Sequence, residues 1–210
     1  MPDQHSTLRA RRRAETQRTV QAHAVRLFTE RGFDATTVAD VADAAGVSPM
    51  TVYRHFPTKE DLVLADANVG LVADGIAATP ANLPLTHRIG SALVDSAAQL
   101  SSGDVHDPGS NRRFLLARLQ LMIATPALRA RHLDNHYALQ QSIVGALTGE
   151  SPDPDTVFRA QAAAGACLAA MHTALVRWAE DDGRTDLPDL IAQALAAAFG
   201  DDAIGSPTRG

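Results

Sequence analysis

The chain has 210 residues, 45% apolar and 20% charged, enough for one or two domains, and its 39 alanines against 4% aromatics favour helices over β-structure. One cysteine, Cys167, excludes an internal disulfide framework. No apolar run approaches the ~18 residues of a membrane span, and the basic N-terminus lacks a signal peptide's apolar segment, so the expectation is a soluble cytoplasmic protein. The net charge of −5 argues, as an average, against a nucleic-acid partner, but it is uneven: residues 1–60 carry nine basic against seven acidic side chains, and residues 61–210 ten against seventeen.

In chain order, Val20, Ala24, Leu27 and Phe28 predict a helix from about Arg12 to Arg31, closed by Gly32. Thr37 caps a short helix with the apolar face Val38, Val41, Ala42 and Ala45, and Gly46 follows it. Ser48 as N-cap and Pro49 as first residue open another to about Phe56. Thr58-Lys59-Glu60-Asp61 reads as a capping box opening a helix through Leu62, Val69 and Ile76. Leu85, Ile89, Leu93 and Leu100 mark the next helix, a polar loop spans 101–111, and 114–123 is helical. Thr125 and Pro126 restart the chain into a helix to about Leu147, with Leu128, His132, His136, Leu139 and Ile143 on one stripe. Asp153-Pro154 opens a helix to about Glu180, where Ala164, Leu168, Met171, Leu175 and Trp178 run beside the small residues Ala160, Ala163, Cys167, Ala170 and Ala174. The last helix carries Leu190, Ile191, Leu195, Ala198 and Phe199, and residues 201–210 read as a disordered tail. The expectation is an all-α protein of about nine helices.

Residues 37–56 carry the functional signal. Two short helices joined by a tight turn with Gly form the helix-turn-helix pattern. Gly46 supplies the positive φ of the turn, Ala42 the small residue where the helices cross, and Val41, Val47 and Val52 the contacts between them. The second helix presents Ser48, Pro49, Met50, Thr51, Tyr53, Arg54 and His55 outward, a mixture of short polar, methyl-bearing and basic groups suited to base edges and phosphates. An ordinary helical hairpin is the competing reading. There is no G-x-S-x-G, P-loop, H-E-x-x-H, C-x-x-C or dinucleotide fingerprint, so no enzyme, cofactor or metal site is expected.

Gly32-Phe33, Thr36-Thr37-Val38, Val41-Ala42, Ala45-Gly46-Val47-Ser48, Val52-Tyr53, His55-Phe56, Lys59-Glu60 and Leu62 together resemble the signature of TetR-type transcriptional regulators. Pro49-Met50 departs from it, standing where that family often has a basic or polar residue followed by a small one. The resemblance implies an all-helical homodimer, with an arm and three-helix DNA-binding domain over residues 1–58 and a ligand-binding and dimerisation domain over 59–200. It implies that Thr37, Ser48, Tyr53, His55 and Lys59 contact phosphates and that Pro49, Met50, Thr51 and Arg54 lie nearest the base edges. Lys59, the chain's only lysine, is expected in the first turn of its helix, where free N–H groups favour an anion. Arg9 and Arg11 to Arg13 are either a flexible arm on DNA or a solvated tail.

Thr125 to Arg131, with the Ala-rich helix ending Val176-Arg177-Trp178, resembles regulators with acyl-CoA-like ligand-binding domains. That likeness implies a small hydrophobic effector, acyl-CoA or fatty acid-like. The family resemblance implies a dimer through the last two helices; the alternative is that both helix faces are filled within one chain. Phe114, Arg118, Met122, His136, Tyr137, Gln140, Met171 and His172 are the candidates to line the effector site, with core packing as their other reading. His132 and His136 alone make a poor zinc site for want of a third ligand. The function expected is a repressor that releases a palindromic operator when the effector binds. A constitutive architectural DNA-binding protein and a small helical enzyme are the alternatives.

Overall fold

The computed structural model describes residues 4–64, 68–102, 109–149 and 153–200. The described residues form ten α-helices and no strand: α1 (Gln4–Arg31), α2 (Val38–Ala45), α3 (Pro49–His55), α4 (Asp61–Leu64), α5 (Asn68–Ala78), α6 (Leu85–Ser101), α7 (Ser110–Ala124), α8 (Pro126–Thr148), α9 (Pro154–Glu180) and α10 (Leu187–Phe199). The helix expected over 59–78 is present as α4 and α5, with 65–67 outside the described residues, as are most of the loop expected over 101–111 and the tail expected over 201–210. α1 begins at Gln4, well before Arg12, so the backbone of Arg9 and Arg11 to Arg13 is helical. Alanine, arginine, glutamate and glutamine are all good helix formers, and a run of them extends a helix that its apolar face has already nucleated. No helix among the described residues is long and apolar enough to cross a membrane.

The chain divides into two compact units, one of residues 1–65 with 121–131, the other of 66–120 with 132–210. In the first, Val20, Ala24, Leu27 and Phe28 form the buried stripe of α1, as their spacing predicts, and meet Phe33, Val41, Ala42, Val52, Phe56 and Leu62. Met122 and Leu128, from the end of α7 and the start of α8, are buried and belong to this unit as well.

The second unit is built on α5, α6, α9 and α10. Val72 and Ile76 of α5 and Ile89, Ala92 and Leu93 of α6 are buried. α5 and α6 approach closely at Gly75, where an added Cβ would stand 3.1 Å from that of Ala92. Arg88, buried on α6, donates to the Ile76 carbonyl and the Thr79 hydroxyl, both at 3.1 Å, and so closes the C-terminal end of α5 with a cation that suits the helix dipole.

Along α9, Ala164, Leu168 and Trp178 are buried, but so are Ala160, Cys167 and Ala174 of the small-residue strip. Ile191 and Leu195 of α10 are also buried, while Ala163, Ala170, Leu190 and Phe199 are half-buried and Ala198 is exposed, so those faces are filled within one chain only in part. The turn between the two helices is pinned by the Trp178 indole N–H, which donates to the Thr185 carbonyl at 2.8 Å, and by Arg112 of α7, which donates to the carbonyls of Gly183 and Thr185.

Candidate nucleic-acid interface

The geometry of residues 37–56 follows from local chemistry. Thr37, in extended conformation (φ −95°, ψ 163°), accepts from the Asp40 N–H at 3.1 Å, and its own N–H donates to the Asp40 carboxylate at 2.7 Å, closing a reciprocal cap on α2. The hydrogen bonds from the Thr37 hydroxyl and backbone, with the Arg31 charge behind them, hold the Asp40 carboxyl below its ordinary range. α2 ends at Gly46, whose φ of +67° is left-handed, and the Val47 N–H returns to the Ala42 carbonyl at 3.0 Å. Ser48 then caps α3, accepting from the Thr51 N–H at 3.1 Å, while Pro49 occupies a position that needs no N–H donor.

These caps fix which way α3 faces. Val41, Ala42 and Val52 are fully buried at the crossing of α2 and α3, and Phe56 is buried just beyond. The opposite side of α3 exposes Ser48, Pro49, Met50, Tyr53 and Arg54, with Thr51 and His55 half-buried. Met50 is 75% exposed and Tyr53 50%, and Thr37 is exposed at the start of α2. The Ser48 and Thr51 hydroxyls hydrogen-bond each other at 2.9 Å, so their outward hydrogen-bonding capacity is shared. His55 has a buried Nδ1 with no hydrogen-bond partner, and burial first, then the Arg13 and Arg54 charges, lower its pKa below the ordinary histidine value.

Lys59 is placed differently from the expectation. It precedes α4, and its ammonium donates to the Phe33 carbonyl while lying 4.3 Å from the Phe33 ring centroid and 5.6 Å from that of Phe28. The reciprocal cap expected at Thr58 is present: the Thr58 N–H donates to the Asp61 carboxylate at 3.1 Å and the Asp61 N–H to the Thr58 hydroxyl at 3.2 Å. The Asp61 carboxylate, nearly buried, also accepts from Arg131 Nε and Nη2 at 3.2 and 3.0 Å, a contact between residues 70 apart that sequence reasoning did not find.

The effector candidates do not gather into one site. Met122 is buried in the first unit. In the second, Arg118 lies over the Phe114 ring at 5.6 Å, Gln140 donates to the Gln161 carbonyl at 3.0 Å, and Met171 is half-buried. Tyr137 is 65% exposed. His136 and His172, also half-buried, are brought together with His132: its Nε2 lies 3.3 Å from His172 Nδ1. A cavity of about 130 Å³ opens between Leu85, Leu147, Thr148, Thr156, Arg159 and Ala160. None of the candidates lines it, and it is well below the ~300 Å³ of the smaller ligand sites.

The chain matches two family models: one described as bacterial regulatory proteins, tetR family, over residues 22–65, the other as the MftR C-terminal domain, over residues 87–199. It is 24% identical over 202 residues to a putative mycofactocin biosynthesis transcriptional regulator, MftR, of Mycobacterium tuberculosis, covering 96% of both chains. A TetR-family regulator from Streptomyces coelicolor superposes with a TM-score of 0.55 at 22% identity, over 88% of this chain and 93% of that one. The transcriptional regulator FadR from Bacillus subtilis, solved in complex with stearoyl-CoA, does so with a TM-score of 0.54 at 18% identity, over 87% and 97%. Both show a shared fold.

Proposed function

Because the chain belongs to the TetR family of bacterial regulatory proteins, and is therefore a DNA-binding transcriptional regulator and not an enzyme, we propose that it is a repressor that binds a palindromic operator as a homodimer and releases it when a small hydrophobic molecule binds the C-terminal unit. The observation that carries the DNA-facing half of this reading is the outer side of α3. A free-standing helical hairpin gains nothing by exposing Met50 and Tyr53 beside Pro49 and Arg54. A recognition helix does, because the thioether and ring can lie against thymine methyls and sugars while the guanidinium reaches a base edge or phosphate. Thr37, Ser48, Tyr53, His55 and Lys59 are the proposed phosphate contacts, and Pro49, Met50, Thr51 and Arg54 the proposed base-edge surface.

For the homodimer, support comes from what α9 leaves uncovered. With Ala160, Cys167 and Ala174 buried, the side of α9 still exposed carries Ala162, Ala166, Ala169 and Thr173 between the larger Phe158 and Arg177. These alanines and the threonine are small and recur at three and four residues, which permits close helix approach across a two-fold axis. The effector is proposed to be an acyl-CoA or fatty acid-like molecule, on the strength of the FadR fold likeness. Two recognition helices must stand about 34 Å apart to enter successive major grooves. An effector that binds better at another spacing weakens DNA binding, and by reciprocity DNA weakens the effector.

The test is a selection of duplexes from a random pool, followed by a titration at fixed salt with wild type, Met50→Ala and Tyr53→Phe. Both variants are expected to bind the selected duplex more weakly while remaining dimeric by sedimentation. Stearoyl-CoA or a fatty acid is expected to raise the melting temperature and to release the duplex. Unchanged DNA affinity in both variants rejects the docking surface, and stabilisation by none of the acyl compounds rejects the effector class.

A further inference from the structure

α8 and α9 bring together three imidazoles, two of them four residues apart and the third 36 residues beyond. His132 and His136 are one turn apart on α8, and His172 comes from α9. Their ring centroids form a triangle of 5.3 Å (His132–His172), 5.9 Å (His132–His136) and 6.3 Å (His136–His172). His132 Nε2 and His172 Nδ1 are 3.3 Å apart. His136 Nε2 is buried and has no hydrogen-bond partner.

We propose that His132, His136 and His172 form a binding site for a divalent transition-metal ion, with zinc as its simplest occupant. Two nitrogens that each stand about 2.0–2.1 Å from a tetrahedral zinc lie roughly 3.3–3.4 Å from one another. That is the separation already present between His132 and His172, where a metal would take the place of the proton now shared by the two rings. The third ligand has to move: as the side chains stand, no group of three among the described residues converges on a point. A turn of the His136 side chain toward the other two rings would complete the set. It would also give a partner to Nε2, a buried polar atom that now has none.

Two histidines at i and i+4 on one helix are a familiar half-site for zinc, and a third from a facing helix leaves one position for water. An all-imidazole set selects zinc, nickel or copper over magnesium and calcium, which take oxygen ligands. The site stands independently of the effector reading above.

The test uses the full-length, untagged chain stripped with a chelator. Calorimetric titration with zinc chloride is expected to give one ion per chain and no uptake of magnesium. The affinity should fall at least about tenfold in His136→Gln and in His172→Gln, since loss even of a group that only supports a ligand costs roughly 10–100-fold. His87→Gln, on α6 and not a member of the cluster, should bind as wild type does. Cobalt loading of the wild-type chain gives a readout that does not depend on any variant folding: a strong visible absorption band is expected from a tetrahedral site. No uptake at micromolar zinc overturns the proposal, as do equal affinity in the variants, a fall in His172→Gln without one in His136→Gln, and a pale, octahedral cobalt spectrum.

Discussion

Replacing Lys59 by methionine separates two roles that one ammonium group can hold. In the free chain it donates to the Phe33 carbonyl and lies over the rings of Phe33 and Phe28. A hydrogen bond from a charged donor is worth about 1.5–3 kcal/mol and a partly exposed cation–π contact about 0.5–1 kcal/mol. Methionine keeps the length of the stem, and its sulfur recovers about 0.3–1.5 kcal/mol against the rings. Because Lys59 is half-buried, water also takes over part of what the Phe33 carbonyl loses. The net expectation is a loss of about 1–2 kcal/mol in the first unit. Denaturant titration followed by circular dichroism measures it, with amide exchange in α2 and α3 reporting that unit by itself. A double-mutant cycle with Phe33→Leu should return a coupling of about 0.5–1 kcal/mol. If Lys59 also reaches a phosphate, the slope of log affinity against log salt falls by about one unit in Lys59→Met. Unchanged stability and zero coupling refute the inward contact; an unchanged salt slope refutes the phosphate contact and leaves Lys59 as a brace that sets the loop before α4.

Gly46→Ala tests the turn. An added Cβ meets nothing within 4 Å, so the whole cost is the φ of +67°, about 1–2 kcal/mol, and Gly46→Asn should cost less because asparagine tolerates that region. Equal thermal stability of Gly46→Ala and wild type would show that the turn does not hold this conformation. His55 gives a pH dependence. Its folded-state pKa is lowered by burial first and by Arg13 and Arg54 next, so the stability gained from keeping it neutral is full above its unfolded value near 6.5 and is lost as pH falls toward the folded one. A DNA phosphate beside it would raise that pKa, so DNA affinity should increase as pH falls through the same window, and His55→Gln should remove that increment. Parallel pH profiles for the two proteins at fixed ionic strength would sink the assignment of His55 to the backbone contact.

What could be read from the sequence divides by the distance over which each contact acts along the chain. Thr37 and Asp40, Ser48 and Thr51, and Thr58 and Asp61 are three residues apart, and the caps they form follow from hydroxyl and carboxylate chemistry with no knowledge of the fold. Gly46 and Pro49 are fixed by backbone geometry alone. The stripe of α1 is equally local, because Val20, Ala24, Leu27 and Phe28 need only a period of 3.6 to share a face. The extension of α1 to Gln4 has no apolar stripe to mark it, because a run of arginines forms helix as readily as it carries charge.

The contacts that the sequence does not announce join residues far apart along the chain. Phe33 is 26 residues from Lys59, Asp61 is 70 from Arg131, and His132 is 40 from His172. Periodicity assigns a residue to a face of its helix but not to the helix it will meet. So Leu128, His132, His136 and Ile143 could be set on one stripe of α8, while the first and last of them became core and the two histidines met a third. Tyr137 shows the same limit from the other side. It follows His136 by one residue, about 100° around the helix, and a site that draws in His136 cannot also take its neighbour. The surface proposed to face DNA is legible because α3 and its caps lie within residues 48–56.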